Sequence, residues 1–449
     1  MFTALIALSI FTPLPYVGVV GLIGFFIAGG ITLANTTRLG RLPWPKTISG
    51  LTLIMGVVIL HAGIYFFYET NSLSIMATFL SFSTALLGLM FIRRTHPTVR
   101  DRFARLLPWQ PLSRNFRVRI ELKNIILPLV ILGGQASLIA IGIARATTDV
   151  LASPWSALEK KYLVLYAVTL FLLFLYQYRT EQHRFARFLL VSQMFVGLSI
   201  AGFLYPLGYG YDPFIHRATE AHIVAFGSAE PKTPFYLGQY ALVAITRLVT
   251  HLPLALTDIW LVPVIATLLL PSAAYLGLRY GFRIRERFAR LGALLLPLYP
   301  MKTMYATTPH NLANVFTLAT VLLTPLMFRY RTARYPVIVL ALGAAVAHPQ
   351  TGIFAVLFAA GMSVATSAFW KNLPNALKTM SAFLYASFTA VMSPALFGAY
   401  ATLQGKTLPA FATLFDELNR FIILFREPYY FSQKAVPLLF ELLYLYRYA

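Results

Sequence analysis

Long uninterrupted apolar blocks constrain this chain more than any other feature of its sequence. Clear examples are residues 47–67, 73–92 and 125–144. Each has about 20 residues, the length that an α-helix needs to cross the hydrocarbon core of a bilayer. A membrane β-barrel would show short segments that alternate apolar and polar residues, and these blocks do not alternate. The sequence therefore predicts an all-α, polytopic transmembrane helical bundle.

The basic residues indicate how these helices are oriented. The net charge is +22, from 37 Lys and Arg against 15 Asp and Glu. The basic residues crowd a few connectors, which are 38–46, 93–123, 179–187, 283–290 and 329–334. Lys and Arg concentrate in the cytoplasmic loops of membrane proteins. This distribution accounts for the charge without nucleic acid as a partner and favours a multi-pass protein of the cell (plasma) membrane.

With the basic connectors in the cytoplasm, the chain is predicted to cross the membrane roughly 11–13 times. Residues 1–187 form N-terminal transmembrane helices with basic cytoplasmic loops, and residues 188–449 form a core with outer loops 208–257 and 400–432. Most acidic residues fall on the outer side, which places the polar chemistry there. The chain ends at LLYLYRYA, inside or just after a span. It is therefore either a short protein or one whose C-terminus is incomplete.

The outer loop 208–257 is predicted to carry two amphipathic helices. Gly208 and Gly210 interrupt the preceding helix, and Asp212 before Pro213 has the pattern of a cap followed by proline in the first turn. The first helix, 213–226, places Asp212, His216 and Glu220 on one face, because they are four residues apart. The second, 235–252, is amphipathic enough to lie along the membrane surface. Asp212 is either a helix cap alone or a residue kept at the water–lipid boundary for chemistry.

Three further stretches carry polar side chains on the predicted outer side. Residues 299–316 contain Lys302 and His310, and His348 follows an apolar run. The loop 400–432 contains Glu417 and is long for a helical bundle, which is common in functional loops. The two histidines are either ordinary interfacial residues or functional ones, and the loop is either solvated or functional.

The segment Asp212-Pro213-Phe214-Ile215-His216-Arg217-Ala218-Thr219-Glu220 resembles the first outer loop of oligosaccharyltransferase catalytic subunits. More broadly, residues 188–400 resemble the membrane glycosyltransferases of the GT-C superfamily. The Asp-to-Arg spacing is one residue shorter here, and the family's C-terminal soluble domain is absent from this chain. The second outer loop has Pro309-His310-Asn311 where the family has acidic residues. Since carboxylates are the ligands that Mg²⁺ prefers, a divalent metal is possible but not favoured, and we assign no metal ligand.

The resemblance implies transfer of a sugar from a polyprenyl-phosphate-linked donor to an acceptor on the extracytoplasmic face. Asp212 is then the general base for the acceptor hydroxyl. The leaving phosphate needs cationic or hydrogen-bonding groups, and His216 either orients Asp212 or binds the donor. The substrate-binding candidates are His216, Arg217, Glu220, Lys232, Lys302, His310, His348 and Glu417. The implied partners are the lipid-linked sugar and membrane lipid, and the oligomeric state stays open.

Two alternatives remain. A polytopic transporter or lipid flippase would also have many spans, and it would carry charged or helix-breaking residues near mid-membrane. The clearest polar residue within a predicted span is His61, so the outer clustering favours the enzyme. A membrane scaffold whose residues 1–187 bind partners would need no polar cluster at 212–220.

Overall fold

The computed structural model describes residues 1–36, 45–68, 75–95, 123–149, 157–180, 183–210, 212–230, 234–296 and 304–403. These residues are predominantly helical and contain no β-strand, which confirms the predicted all-α bundle. The earlier helices are α1 (Phe2–Phe11), α2 (Pro15–Thr36), α3 (Pro45–Tyr68), α4 (Ile75–Thr95), α5 (Lys123–Ala144), α6 (Lys160–Arg179), α7 (His183–Leu198) and α8 (Ile200–Leu204). The later helices are α9 (Asp212–Phe226), α10 (Leu237–Thr250), α11 (Leu254–Leu276), α12 (Glu286–Leu294), α13 (Pro309–Leu323), α14 (Arg334–Ala347), α15 (Pro349–Ala365), α16 (Ala368–Asn372) and α17 (Asn375–Leu403).

The described part of the chain has six helical stretches that are long and apolar enough to cross a membrane. They are Pro15–Asn35, Lys46–Tyr65, Ile126–Ala144, Lys160–Arg179, Leu254–Gly281 and Pro309–Phe328. Shorter apolar helices pack among them, such as Phe185–Leu198 and Pro349–Ala365. The chain is therefore a multi-pass helical protein. The finer count of roughly 11–13 spans stays a prediction, and the last predicted span, 433–449, lies outside the described residues.

Arginine side chains tie several connectors together at one end of the bundle, which we call the arginine end. The guanidinium of Arg290 donates to the carbonyls of Gln177 and Thr180, over 2.9 and 2.8 Å. Arg329 donates to the carbonyl of Gly281 over 3.1 Å. The first two contacts join α12 to the C-terminal end of α6, and the third joins the π-helical extension of α11 (Gly277–Gly281) to the segment after α13. Of the five basic connectors, 179–187 (apart from 181–182), 283–290 and 329–334 fall within the described residues, and they lie at this same end of the bundle.

Helix α10 is amphipathic, as predicted, but it does not lie on a surface. Eleven of its 14 residues are buried, and it packs against α2, α3, α9, α11 and α14. A Cβ on Gly238 would come within 2.6 Å of the backbone of Ala347, so only glycine allows α14 to approach this closely. The polar side of α10 is covered by protein, since Gln239 donates to buried Glu220. The expectation of a surface helix over 235–252 was wrong because its polar residues find partners inside the bundle.

Candidate active site

Helix α9 starts where the sequence predicts it and carries the principal acidic candidate. Gly208 and Gly210 have φ angles of 112° and 86°, a region that disfavours side chains, and they form the turn between α8 and α9. The helix begins at Asp212, whose side chain is 58% exposed. One turn later, His216 is only 4% exposed, and its Nε2 lies 3.5 Å from Oδ2 of Asp212. The Asp212–His216 pair therefore has one exposed and one buried side chain.

Two further helices begin beside this pair. His310 is the second residue of α13, and His348 directly precedes Pro349, the first residue of α15. The two imidazole centroids lie 5.3 Å apart at an interplanar angle of 79°. The hydroxyl of Thr351 links them, since it lies 3.1 Å from Nδ1 of His310 and 3.0 Å from Nδ1 of His348. The start of α13 and the start of α15 are thus held together by side chains.

Two tyrosines connect these histidines to α9. Tyr236 stacks on His348 with centroids 5.4 Å apart, and it meets His216 edge-on at 5.3 Å. The hydroxyl of Tyr240 lies 2.8 Å from Nδ1 of His216. We call the following six residues the histidine cluster: Asp212, His216, Tyr236, Tyr240, His310 and His348. Three helix N-termini, those of α9, α13 and α15, meet at this cluster.

The electrostatics of the histidine cluster favour a neutral imidazole at His348. The pKa of His348 is lowered to about 4, by burial first and by the neighbouring His310 and His216 next, whereas Asp212 opposes the shift. His348 is therefore uncharged at neutral pH. Helix N-termini carry partial positive charge and backbone N–H groups that bind anions. The cluster thus combines an exposed carboxylate with the positive ends of three helices.

A second polar network lies on the inner side of α9. Arg217 donates through Nε to Oδ2 of Asp258 over 2.8 Å, and through Nη1 to the carbonyl of Leu207 over 2.7 Å. Glu220 and Asp258 are each 1% exposed. Burial raises the pKa of Glu220 well above its usual value and the charge of Asp258 adds to this, whereas Arg217 and the hydrogen bond from Gln239 oppose it. Arg217 and Asp258 also line a cleft of about 220 Å³, counted with its open mouth.

The structure brings part of the predicted site together. Asp212, His216, His310 and His348 meet in the histidine cluster, whereas Arg217 and Glu220 face the inner network. The catalytic role of Asp212 and the substrate-binding roles of the other five stay predictions. Lys232, Lys302 and Glu417 lie outside the described residues. The sequence analysis missed Asp258, Tyr236 and Tyr240. Tyr236 and Tyr240 are four residues apart, as on a helix face, but such spacing is common in any amphipathic segment.

Within the described ranges, no group of three or more His, Cys, Asp and Glu side chains is arranged to hold a metal ion. The expectation that no divalent metal is needed stays a prediction, because Glu417 and its neighbours lie outside those ranges. No family model, no characterised protein and no solved structure matches the chain. The fold and the cluster together define a multi-pass helical membrane protein with a histidine- and carboxylate-containing site at the ends of its helices.

Proposed function

We propose that this protein is a membrane glycosyltransferase. It moves a sugar from a polyprenyl-phosphate-linked donor to an acceptor on the extracytoplasmic face of the cell membrane. The observation that carries the proposal is the meeting of Asp212, His216, His310 and His348 at three helix N-termini. A general base, hydrogen-bonding side chains and an anion-binding environment are the parts that such a transfer needs.

In the proposed reaction, the acceptor hydroxyl oxygen attacks the anomeric carbon of the sugar. The bond between that carbon and the phosphate oxygen breaks, and the phosphate leaves with the electron pair. Asp212 takes the proton of the hydroxyl, since it is the exposed carboxylate of the cluster. The partial positive charge at the starts of α13 and α15, together with His310 and His348, stabilises the charge that develops on the phosphate.

The position of the site supports a lipid-linked donor. His310 is the second residue of an apolar stretch, Pro309–Phe328, that is long enough to cross a membrane. A phosphate held there keeps its polyprenyl chain beside the apolar helix surfaces, while the sugar reaches the aqueous side. A freely soluble sugar nucleotide would not require a site at this boundary.

A transporter or lipid flippase is the second candidate, and one observation favours it. Glu220, Asp258 and Arg217 form a buried charged network inside a helical bundle, which is a feature of ion and substrate pathways in membranes. The network lies one helix turn from His216, so a transported headgroup would also contact the histidine cluster. The enzyme proposal ranks first because Asp212 is exposed, whereas both network carboxylates are enclosed.

The test uses the full-length protein reconstituted in liposomes with a panel of polyprenyl-linked donors that carry a radiolabelled sugar. We expect label to appear in a water-soluble or second lipid acceptor, and empty liposomes provide the control. In parallel, a membrane-impermeant reagent reports transbilayer movement of the labelled lipid. Movement of the lipid without any transferred sugar would contradict the enzyme and support the flippase.

A further inference from the structure

Tyr240 is the side chain that connects the proposed base to the interior of the bundle. Its hydroxyl lies 2.8 Å from Nδ1 of His216, and both residues are buried. The other ring nitrogen of His216, Nε2, lies 3.5 Å from Oδ2 of Asp212. The three groups form a chain from phenol to imidazole to carboxylate, which ends at the exposed oxygen atoms of Asp212.

The hydrogen-bonding partners of His216 determine which of its ring nitrogens carries the proton. A neutral imidazole has one N–H donor and one acceptor nitrogen. A carboxylate is only an acceptor, so the nitrogen that faces Asp212 makes a hydrogen bond only if it carries the proton. Nδ1 is then the acceptor. The hydroxyl of Tyr240 is protonated at neutral pH and lies 2.8 Å from Nδ1, so it can donate to it. Both contacts are satisfied in one tautomer alone.

We propose that Tyr240 holds His216 in the Nε2–H tautomer, so that His216 orients the Asp212 carboxylate and stabilises its ionised form. Tyr240 and His216 are thus positioning residues, and this inference rests on the proposed role of Asp212 as general base. It adds Tyr240 of α10 to the proposed site and specifies that Nε2 of His216 carries the proton.

The packing around His216 holds the imidazole in this orientation. Tyr240 is 0% exposed in buried helix α10. Tyr236 meets His216 edge-on at 5.3 Å and Tyr240 edge-on at 6.3 Å. The imidazole is therefore enclosed between two aromatic rings of neighbouring turns, and a ring flip would require both rings to move.

Other titratable groups also face Asp212, and the test must hold them constant. His310 at the start of α13 and His348 between α14 and α15 both interact electrostatically with Asp212. Arg217 on α9 is paired with Asp258. A Tyr240→Phe substitution leaves all of these groups in place and keeps the aromatic ring, so it removes only the hydroxyl.

The first measurement is the pH dependence of sugar transfer by the full-length protein. Tyr240→Phe should lower kcat by about 10- to 100-fold, because a buried acceptor then loses its donor, with little change in KM. Without a fixed N–H donor, the ionised form of Asp212 is less stabilised, so the acidic limb of the rate profile should move to higher pH. The matched control is Tyr275→Phe, which removes a buried hydroxyl bonded over 2.7 Å to Glu286 at the arginine end. We expect the control to keep the wild-type profile.

The second measurement needs no transfer activity. In protein labelled with ¹⁵N-histidine, the nitrogen signals of His216, assigned by their loss in His216→Gln, should show the Nε2–H tautomer. In Tyr240→Phe the signals should move part of the way toward an average of the two tautomers, because only the 3.5 Å contact with Asp212 then favours Nε2–H. An Nδ1–H tautomer in the wild type, or an unmoved acidic limb in active Tyr240→Phe, would overturn the inference. A wild type that transfers no sugar would refute the proposed function, and the nitrogen signals would still decide the tautomer.

Discussion

Replacing Asp258 by asparagine should destabilise the protein more than any single exposed charge substitution. Asp258 is 1% exposed and accepts two contacts from Arg217, through Nε at 2.8 Å and Nη2 at 2.7 Å. Asparagine has nearly the same shape, so the substitution removes the charge and leaves no cavity. Arg217 keeps its bond to the carbonyl of Leu207 but loses its ionic partner.

The expected loss in the free energy of unfolding follows from the burial of the Arg217–Asp258 pair. Removing one partner of a buried ion pair typically costs about 3–5 kcal/mol, because the other charge stays buried without compensation. Arg217 is 17% exposed and the asparagine oxygen still accepts a hydrogen bond, so we expect the lower end, about 3 kcal/mol. An exposed pair contributes only about 0–1 kcal/mol. The pair Arg145–Glu159, with side chains 50% and 46% exposed, provides the control through Glu159→Gln.

Glu220 makes this cost depend on pH. Its folded pKa is raised, by burial first and by the charge of Asp258 second, so its stabilising contribution is lost as the pH rises from its ordinary value toward the raised one. Asp258→Asn removes the charge at position 258, so the pKa of Glu220 falls. Glu220 can then ionise near Arg217 and replace part of the lost interaction. The loss of stability should therefore be largest where Asp258 is ionised and Glu220 is still protonated, and it should shrink as the pH rises further.

The assay is thermal unfolding in detergent, followed by tryptophan fluorescence at several pH values. Asp258→Asn should unfold at a clearly lower temperature than Glu159→Gln, and the difference should narrow with rising pH. In protein that also carries Glu220→Gln, the loss of stability caused by Asp258→Asn should not depend on pH in this way. Equal midpoints for Asp258→Asn and Glu159→Gln would refute the reasoning about the buried network.

Three further predictions follow from other parts of the molecule. The folded pKa of His348 is depressed to about 4, so its contribution to stability is present above the ordinary value near pH 6.5 and is lost as the pH falls toward 4; in thermal scans, His348→Gln should reduce that loss. Gly352→Ala would force a Cβ against the backbone of α14 and should cost about 1–3 kcal/mol, whereas Gly56→Ala, which meets nothing within 4 Å, should not lower the midpoint. Since the chain has no native cysteine, cysteines at Gln110 and Ser228 should label from opposite sides of the membrane; labelling from one side would contradict the assigned orientation.

The local chemistry of α9 could be predicted from the sequence. Two glycines, then Asp212 and Pro213, specify a turn followed by a helix start, and the four-residue spacing places Asp212 beside His216. The apolar blocks likewise specify a helical membrane bundle, because their length and composition suit few other structures. These features depend on residues that are close together in the sequence.

The assembly of the cluster could not be predicted in this way. His310 and His348 meet because α13 packs against both α14 and α15, and no local pattern encodes these contacts between helices. Helix α10 has the composition of a surface helix, and only its long-range partners, such as Glu220 for Gln239, bring it inside. Asp258 was missed for the same reason, since its partner Arg217 is 41 positions away.

The most direct test of the central claim compares two substitutions of Asp212 in the sugar-transfer assay. Asparagine ranks with aspartate as a helix cap, whereas alanine loses about 1 kcal/mol there. The amide of asparagine cannot accept a proton, and loss of a general base slows a reaction by about 10²–10⁴-fold. We therefore predict that Asp212→Asn keeps the unfolding midpoint of the wild type and loses transfer by this factor. Normal transfer by Asp212→Asn, with only a lowered midpoint in Asp212→Ala, would show that Asp212 is a cap and would contradict the proposed active site.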